Sequence, residues 1–142
     1  MRNIILIFAI ITTAFFSSCK KASTKTLDQV INPMDTTAML KYGGTFSSGP
    51  SGTVSGEAKI YLKEGKYILA LENFLTTNGP DLKVYLSKEM FPANFIKLGD
   101  LQSTNGNQLY EITGAPDFTI YKYALIHCEK YNHLYGFAEL SK

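Results

Sequence analysis

From Thr53 to Leu140 the apolar residues of this chain come in short alternating runs, each stopped by a turn after a few residues. Alternation with a period of two places one set of side chains on each face of an extended strand, whereas a helix needs apolar residues three and four apart. Ala58, Ile60 and Leu62 share one face, with Lys59 and Tyr61 on the other. Lys63-Glu-Gly-Lys66 reads as a hairpin connection, and Tyr67, Leu69 and Leu71 return in phase. Asn78-Gly-Pro-Asp81 is a firm turn, and after it Leu82, Val84 and Leu86 point inward. Lys88 to Asn94 forms a loop or one helical turn, Phe95 to Leu98 a brief strand, and Gln108 to Ile112 another. Phe118 to Cys128 runs eleven residues with no Gly or Pro and reads as one long strand, with an edge or bulge near Lys122. Leu134 to Leu140 closes the chain, with Gly136 and Ala138 leaving one side flat enough for another strand or a ring to approach. Tyr42 to Gly52, rich in Gly and Ser, reads as turns. The expected fold is all-β: one compact sandwich or small barrel of about seven or eight mainly antiparallel strands.

The N-terminus has a different character. Arg2 precedes a mostly apolar stretch from Ile4 to Phe16, followed by Ser17, Ser18 and Cys19. That is the three-part layout of a secretory signal. The stretch is too short to cross a hydrocarbon core, which needs about 20 residues. A cysteine after two small residues resembles the processing site of a bacterial lipoprotein, which implies lipidation at Cys19 and anchoring by two or more acyl chains. The expected organisation is a signal over 1–18, a lipid-anchored tether and lead-in over 19–40, and the β domain over 41–142. The expected location is the bacterial cell envelope, facing the periplasm or at the outer membrane, with membrane lipid as a partner through Cys19.

The whole chain of 142 residues carries 14 basic and 12 acidic side chains. No long basic run interrupts the domain, which argues against a nucleic-acid partner. There are two cysteines. If Cys19 is acylated, Cys128 has no partner within the chain and no internal disulfide forms. Cys128 shares the parity of Ile126 and faces the expected core, where a thiol is inert; a redox thiol or an intermolecular disulfide are the other readings.

Several segments together resemble the DM13 family: Gly44-Thr-Phe46, Gly56-Glu-Ala-Lys-Ile60, Leu71-Glu-Asn-Phe74, Thr77-Asn-Gly-Pro-Asp-Leu-Lys-Val-Tyr-Leu-Ser87, Gly106 to Ile112, Ile126-His-Cys-Glu-Lys-Tyr131 and Tyr135 to Leu140. The resemblance spans about residues 41 to 141. It implies a compact β domain of exported proteins, found beside haem-binding or redox modules and linked to electron transfer. It also implies that Cys128 is the family's cysteine proposed to be redox-active. His127 stands where the family usually has tryptophan.

No complete catalytic set emerges. Neither His127 nor His133 belongs to a Ser–His–Asp arrangement. Copper would need Cys128 and His127 on one side, but adjacent strand residues point to opposite faces. Asn78, Asp81 and Asp117 are weak calcium candidates in no known loop spacing, and Asp81 more simply fixes its own turn. No cofactor is expected. Tyr121, Tyr123 and His127 share one parity and could form an aromatic contact face for another envelope protein. The reading is therefore a non-enzymatic binding or accessory module, with a single-cysteine redox or electron-transfer accessory acting with a redox partner as the alternative.

Overall fold

The computed structural model describes residues 37–142. The signal, Cys19 and the tether as far as residue 36 lie outside the described residues. Eight strands follow one another: β1 (Met39–Ser48), β2 (Val54–Lys63), β3 (Lys66–Thr76), β4 (Leu82–Ser87), β5 (Phe95–Asp100), β6 (Gln108–Ile112), β7 (Tyr123–Cys128) and β8 (His133–Glu139). They lie in the order β5-β4-β7-β8-β1-β2-β3-β6, and every neighbouring pair is antiparallel. The sheet curls into a nearly closed barrel with β5 and β6 at its two edges. Gln108, itself buried, bridges the edges: its Oε1 accepts from the Gln102 and Ser103 amides and its Nε2 donates to the Ser103 carbonyl at 2.7 Å.

The turns behave as their residues demand. Glu64 and Gly65 both have positive φ, 51° and 77°, which suits the two-residue hairpin between β2 and β3. Of the glycine-rich segment from Tyr42 to Gly52, only the end at Pro50 and Ser51 is a turn. The part from Tyr42 to Ser48 lies in β1, ten residues long and beginning at Met39, within the stretch assigned to the lead-in. Its first part pairs with β2 and its last part, Phe46 to Ser48, with β8. A Cβ at Gly44 would stand 2.1 Å from the Glu139 carbonyl oxygen, so glycine is what lets the chains cross where β1 changes partner. A strand written in glycine and serine carries no apolar alternation to reveal it.

The barrel is filled from both ends. Phe46 packs edge-on to Phe74 at 5.5 Å, and Phe118 plugs one end between Tyr42 and Tyr67 at 5.4 and 4.8 Å. The strand expected from Phe118 is shorter, because Asp117 intervenes. Its Oδ1 accepts from the Thr119 amide at 2.9 Å and the Thr119 hydroxyl at 2.6 Å, and its carbonyl accepts from the Ile120 and Tyr121 amides. Those bonds wind residues 117–121 into a turn, and β7 starts only at Tyr123.

Candidate functional site

β7 carries the two residues of greatest chemical interest side by side, and its register separates them. Ala124, Ile126 and Cys128 face inward, opposite Leu86, Val84 and Leu82 of β4. Tyr123, Leu125 and His127 face outward, opposite Ser87, Tyr85 and Lys83. β4 is buried on both faces throughout, and β7 on both faces from Ala124 onward. The inner face is the barrel lumen. The outer face is covered by other means.

Cys128 is a free thiol with no exposed surface, part of the same apolar cluster as Leu82, Val84 and Ile126. His127, one residue earlier, is also buried, at 4 % exposure. Its cover comes from two loops. The segment after β4 folds back over the outer face: Ser87 Oγ lies 3.2 Å from the carbonyl oxygens of Phe91 and Asn94, the Lys88 amide donates to Asn94, and Phe95 stacks on Tyr85 at 4.2 Å. The ring of Tyr85 is in turn 5.6 Å from that of His127. The second cover is the turn between β7 and β8. Asn132 takes a left-handed φ of 52° there, and its amide donates back to Glu129.

The pairing of β7 with β8 shifts between Ile126 and His127, which sit opposite Gly136 and Leu134. The extra residue is Tyr135. Such a bulge bends a strand and re-aims the side chains beside it. It occurs here beside His127 and not at Lys122, where the sequence suggested one.

Between the covers is a recess of about 460 Å³ lined by Pro50, Ser51, Phe91, Pro92, His127, Asn132, His133 and Leu134. Pro50 and Ser51 are held there by backbone bonds from Gly49 and Ser51 to the carbonyls of Tyr135 and Leu134. His127 Nδ1 is buried and has no hydrogen-bond partner. Burial lowers the imidazole pKa below 6.5, against an opposing hydrogen bond with Asn132 and the charge of Glu129. The ring is therefore neutral at pH 7, with one N–H and one lone pair.

Around this recess the outer face is charged. Lys97 pairs with Glu129 at 2.9 Å, and Tyr85 donates to the same carboxylate at 2.5 Å. The lysine first, then the tyrosine, hold Glu129 below the usual carboxylate range. Lys83 lies between Asp81 and Asp100, at 2.6 and 2.7 Å.

The sequence candidates distribute unevenly. Tyr121, Tyr123 and His127 do not make an exposed aromatic face. Tyr121 belongs to the turn fixed by Asp117 and packs on the core, Tyr123 is half-buried under the Lys122 amine, and His127 is buried. Asn78 and Asp81 line a second, polar recess, but Lys83 lines it too and already occupies the Asp81 carboxylate. Asp117 lies at the opposite end of the barrel, before the start of β7, with its Oδ1 taken by Thr119. The three oxygens do not converge. Sequence reasoning passed over Phe91, Pro92, Asn132 and Leu134, the residues that turn His127 from a surface side chain into the floor of a recess. Only the apolar Met90-Phe91-Pro92 run inside a loop hinted at them.

Neither the curated proteins nor the solved structures compared with the chain gave a match. The model of one family, described as Electron transfer DM13, matches residues 45–140, a span that takes in seven of the eight strands whole and the end of β1 from Thr45 to Ser48. With its barrel, both faces of β7 and the His127 recess all inside or within a few residues of that span, the chain belongs to the DM13 family.

Proposed function

We propose that this protein is a non-enzymatic binding or accessory module of the bacterial cell envelope, held to the membrane by lipid on Cys19 and working through the outer face of β7. The observation that carries the reading is the complete burial of Cys128 among apolar side chains. A thiol must meet its oxidant or partner thiol to react, and a side chain with no exposed surface meets neither. On the other face of the same strand, His127 lines a recess of about 460 Å³ left open between two loops, and recesses of that size are where small-molecule sites form.

The description of the family favours a second reading, a single-cysteine redox or electron-transfer accessory using Cys128 with a redox partner. One experiment separates the two. In the Cys19→Ser chain Cys128 is the sole thiol. Incubation with glutathione disulfide under native conditions, followed by intact mass measurement, leaves the mass unchanged if Cys128 is a core residue. A mixed disulfide formed without denaturant contradicts the binding-module reading and supports the redox one. For the anchor, palmitate labelling of intact cells is lost in the Cys19→Ser chain; unchanged labelling overturns lipidation at that residue.

A further inference from the structure

We propose that Asn78-Gly79 is a site of spontaneous covalent modification, at which Asn78 loses its side-chain nitrogen as ammonia through a cyclic imide and ages to aspartate and isoaspartate. The chain has one other Asn-Gly pair, Asn105-Gly106, and the fold holds that pair against the same reaction.

The reaction needs a carboxamide carbon within reach of the backbone nitrogen that follows it. That nitrogen gives its proton to solvent hydroxide and attacks Cγ. The bond from nitrogen to Cγ forms, the Cγ–Nδ2 bond breaks, and Nδ2 leaves as ammonia with a proton from water. Water then opens the imide at either carbonyl, giving aspartate or its β-linked isomer. The sum is one water consumed and one ammonia released. At Asn78 the reacting groups are already together. The Gly79 amide donates to Asn78 Oδ1 at 2.9 Å, so the carboxamide is folded back over the nitrogen that must attack it. Asn78 is also exposed, and hydroxide and water reach it.

Asn105 is exposed too, so access does not separate the pairs. What differs is the nucleophile. The Gly106 amide donates to the Phe74 carbonyl at 2.9 Å. The Asn105 backbone is pinned on both sides by Ser103, whose Oγ accepts from the Asn105 amide and donates to its carbonyl at 2.8 Å, and Asn105 forms a bridge to Leu75. Attack by the Gly106 nitrogen means breaking the bond to Phe74 and turning that backbone. Nor can the chain shield Asn78 with a larger neighbour. A Cβ at Gly79 would stand 2.7 Å from the Tyr135 hydroxyl oxygen and 2.8 Å from Leu82. Packing therefore demands glycine at 79, the residue that leaves its own nitrogen least hindered. The carboxylate formed at 78 enters the polar recess lined by Asp81, Lys83 and Asp100, where one amine already serves two carboxylates.

The test incubates the Cys19→Ser full chain in mildly alkaline water enriched in oxygen-18, with and without denaturant. Digestion after lysine then separates the two pairs into residues 67–83 and 98–122 for mass spectrometry. In the folded chain the labelled carboxylate is expected at residue 78, as aspartate and isoaspartate, at least about tenfold faster than at residue 105. In denaturant the two rates converge, because both pairs are then Asn-Gly in an open chain. Labelling of folded Asn105 as fast as Asn78 overturns the proposal. So does a folded chain that stays unlabelled at 78 while the unfolded chain reacts at both. A tenfold gap that persists in denaturant also overturns it, since the fold then plays no part. Asn78→Gln alters one exposed side chain and requires a larger ring to close, so label disappears from residues 67–83. Label persisting there would assign the reaction to Asn73, the other asparagine of that peptide, and contradict the proposal.

Discussion

The two faces of β7 are built from the same strand and are equally dry, yet they are dry for different reasons. Inside, Ala124, Ile126 and Cys128 lie beside Leu86, Val84 and Leu82 of the neighbouring β4 in the apolar cluster that fills the lumen. Outside, Leu125 and His127 are covered by two loops that pin themselves down with hydrogen bonds and leave an opening between them. A barrel interior is sealed by topology, and opening it means breaking the ladder of neighbouring strands. A loop-covered face is sealed only as well as the loops close, and loops are where local opening is cheapest. A residue on the inner face is therefore a packing residue first, and a residue on the outer face is shielded only while the loops over it stay closed.

The contrast can be broken in order of expected effect. Ile126→Ala removes buried methyl groups from the lumen and destabilises the domain by about 2–5 kcal/mol, read as a fall in the denaturant midpoint at constant slope; a loss below 1 kcal/mol would mean that the lumen is loosely packed. Cys128→Ser places a hydroxyl among apolar groups and costs about 1–3 kcal/mol, whereas Cys128→Ala costs about 1 kcal/mol. Equal stability of the Ser variant and the parent would argue that Cys128 sees water or a polar partner. His127→Phe removes an unpaired nitrogen and keeps a ring beside an open recess. Loss of the hydrogen bond with Asn132 offsets that gain, so stability stays within about 1 kcal/mol of the parent, and a loss above about 2 kcal/mol would contradict the account of the outer face.

The smallest effect is on pH dependence. The folded-state pKa of His127 lies below its unfolded value near 6.5, so the unfolded chain binds the proton first. The contribution is fully present above pH 6.5 and is lost as the pH falls toward the depressed folded value. Thermal unfolding between pH 7.5 and 5 shows a decline in stability that is shallower in the His127→Phe chain. An identical slope in the two chains would assign the acid sensitivity to other groups.

Much of the inner face was legible from the sequence, and little of the outer one. Leu82, Val84 and Leu86 against Ala124, Ile126 and Cys128 follow from alternation alone, because a sealed lumen rewards a strict period of two. The same alternation puts His127 on the other side and is silent about what lies over it. Its burial depends on the return of the 88–95 loop and on the extra residue at Tyr135, and both are long-range consequences of pairing. β1 was hidden for another reason. Gly44 permits the crossing of the chain between β2 and β8, so the close approach at that point also removed part of the strand's apolar signature. Likewise the missing first half of the Phe118–Cys128 strand was lost to one short-range device, the Asp117 side chain capping its own turn.

The central claim is that Cys128 is sealed by the barrel while its neighbour is covered only by loops, and the most direct measurement is the rate of Cys128 alkylation in the Cys19→Ser chain across a series of denaturant concentrations. If the lumen is closed, the thiol reacts only through unfolding: the rate is negligible in buffer, rises with denaturant along the unfolding equilibrium, and increases in the Ile126→Ala chain in proportion to its lost stability. Alkylation in buffer at the rate of a free thiol, independent of denaturant and unchanged by Ile126→Ala, would contradict the account and return Cys128 to the centre of the protein's chemistry.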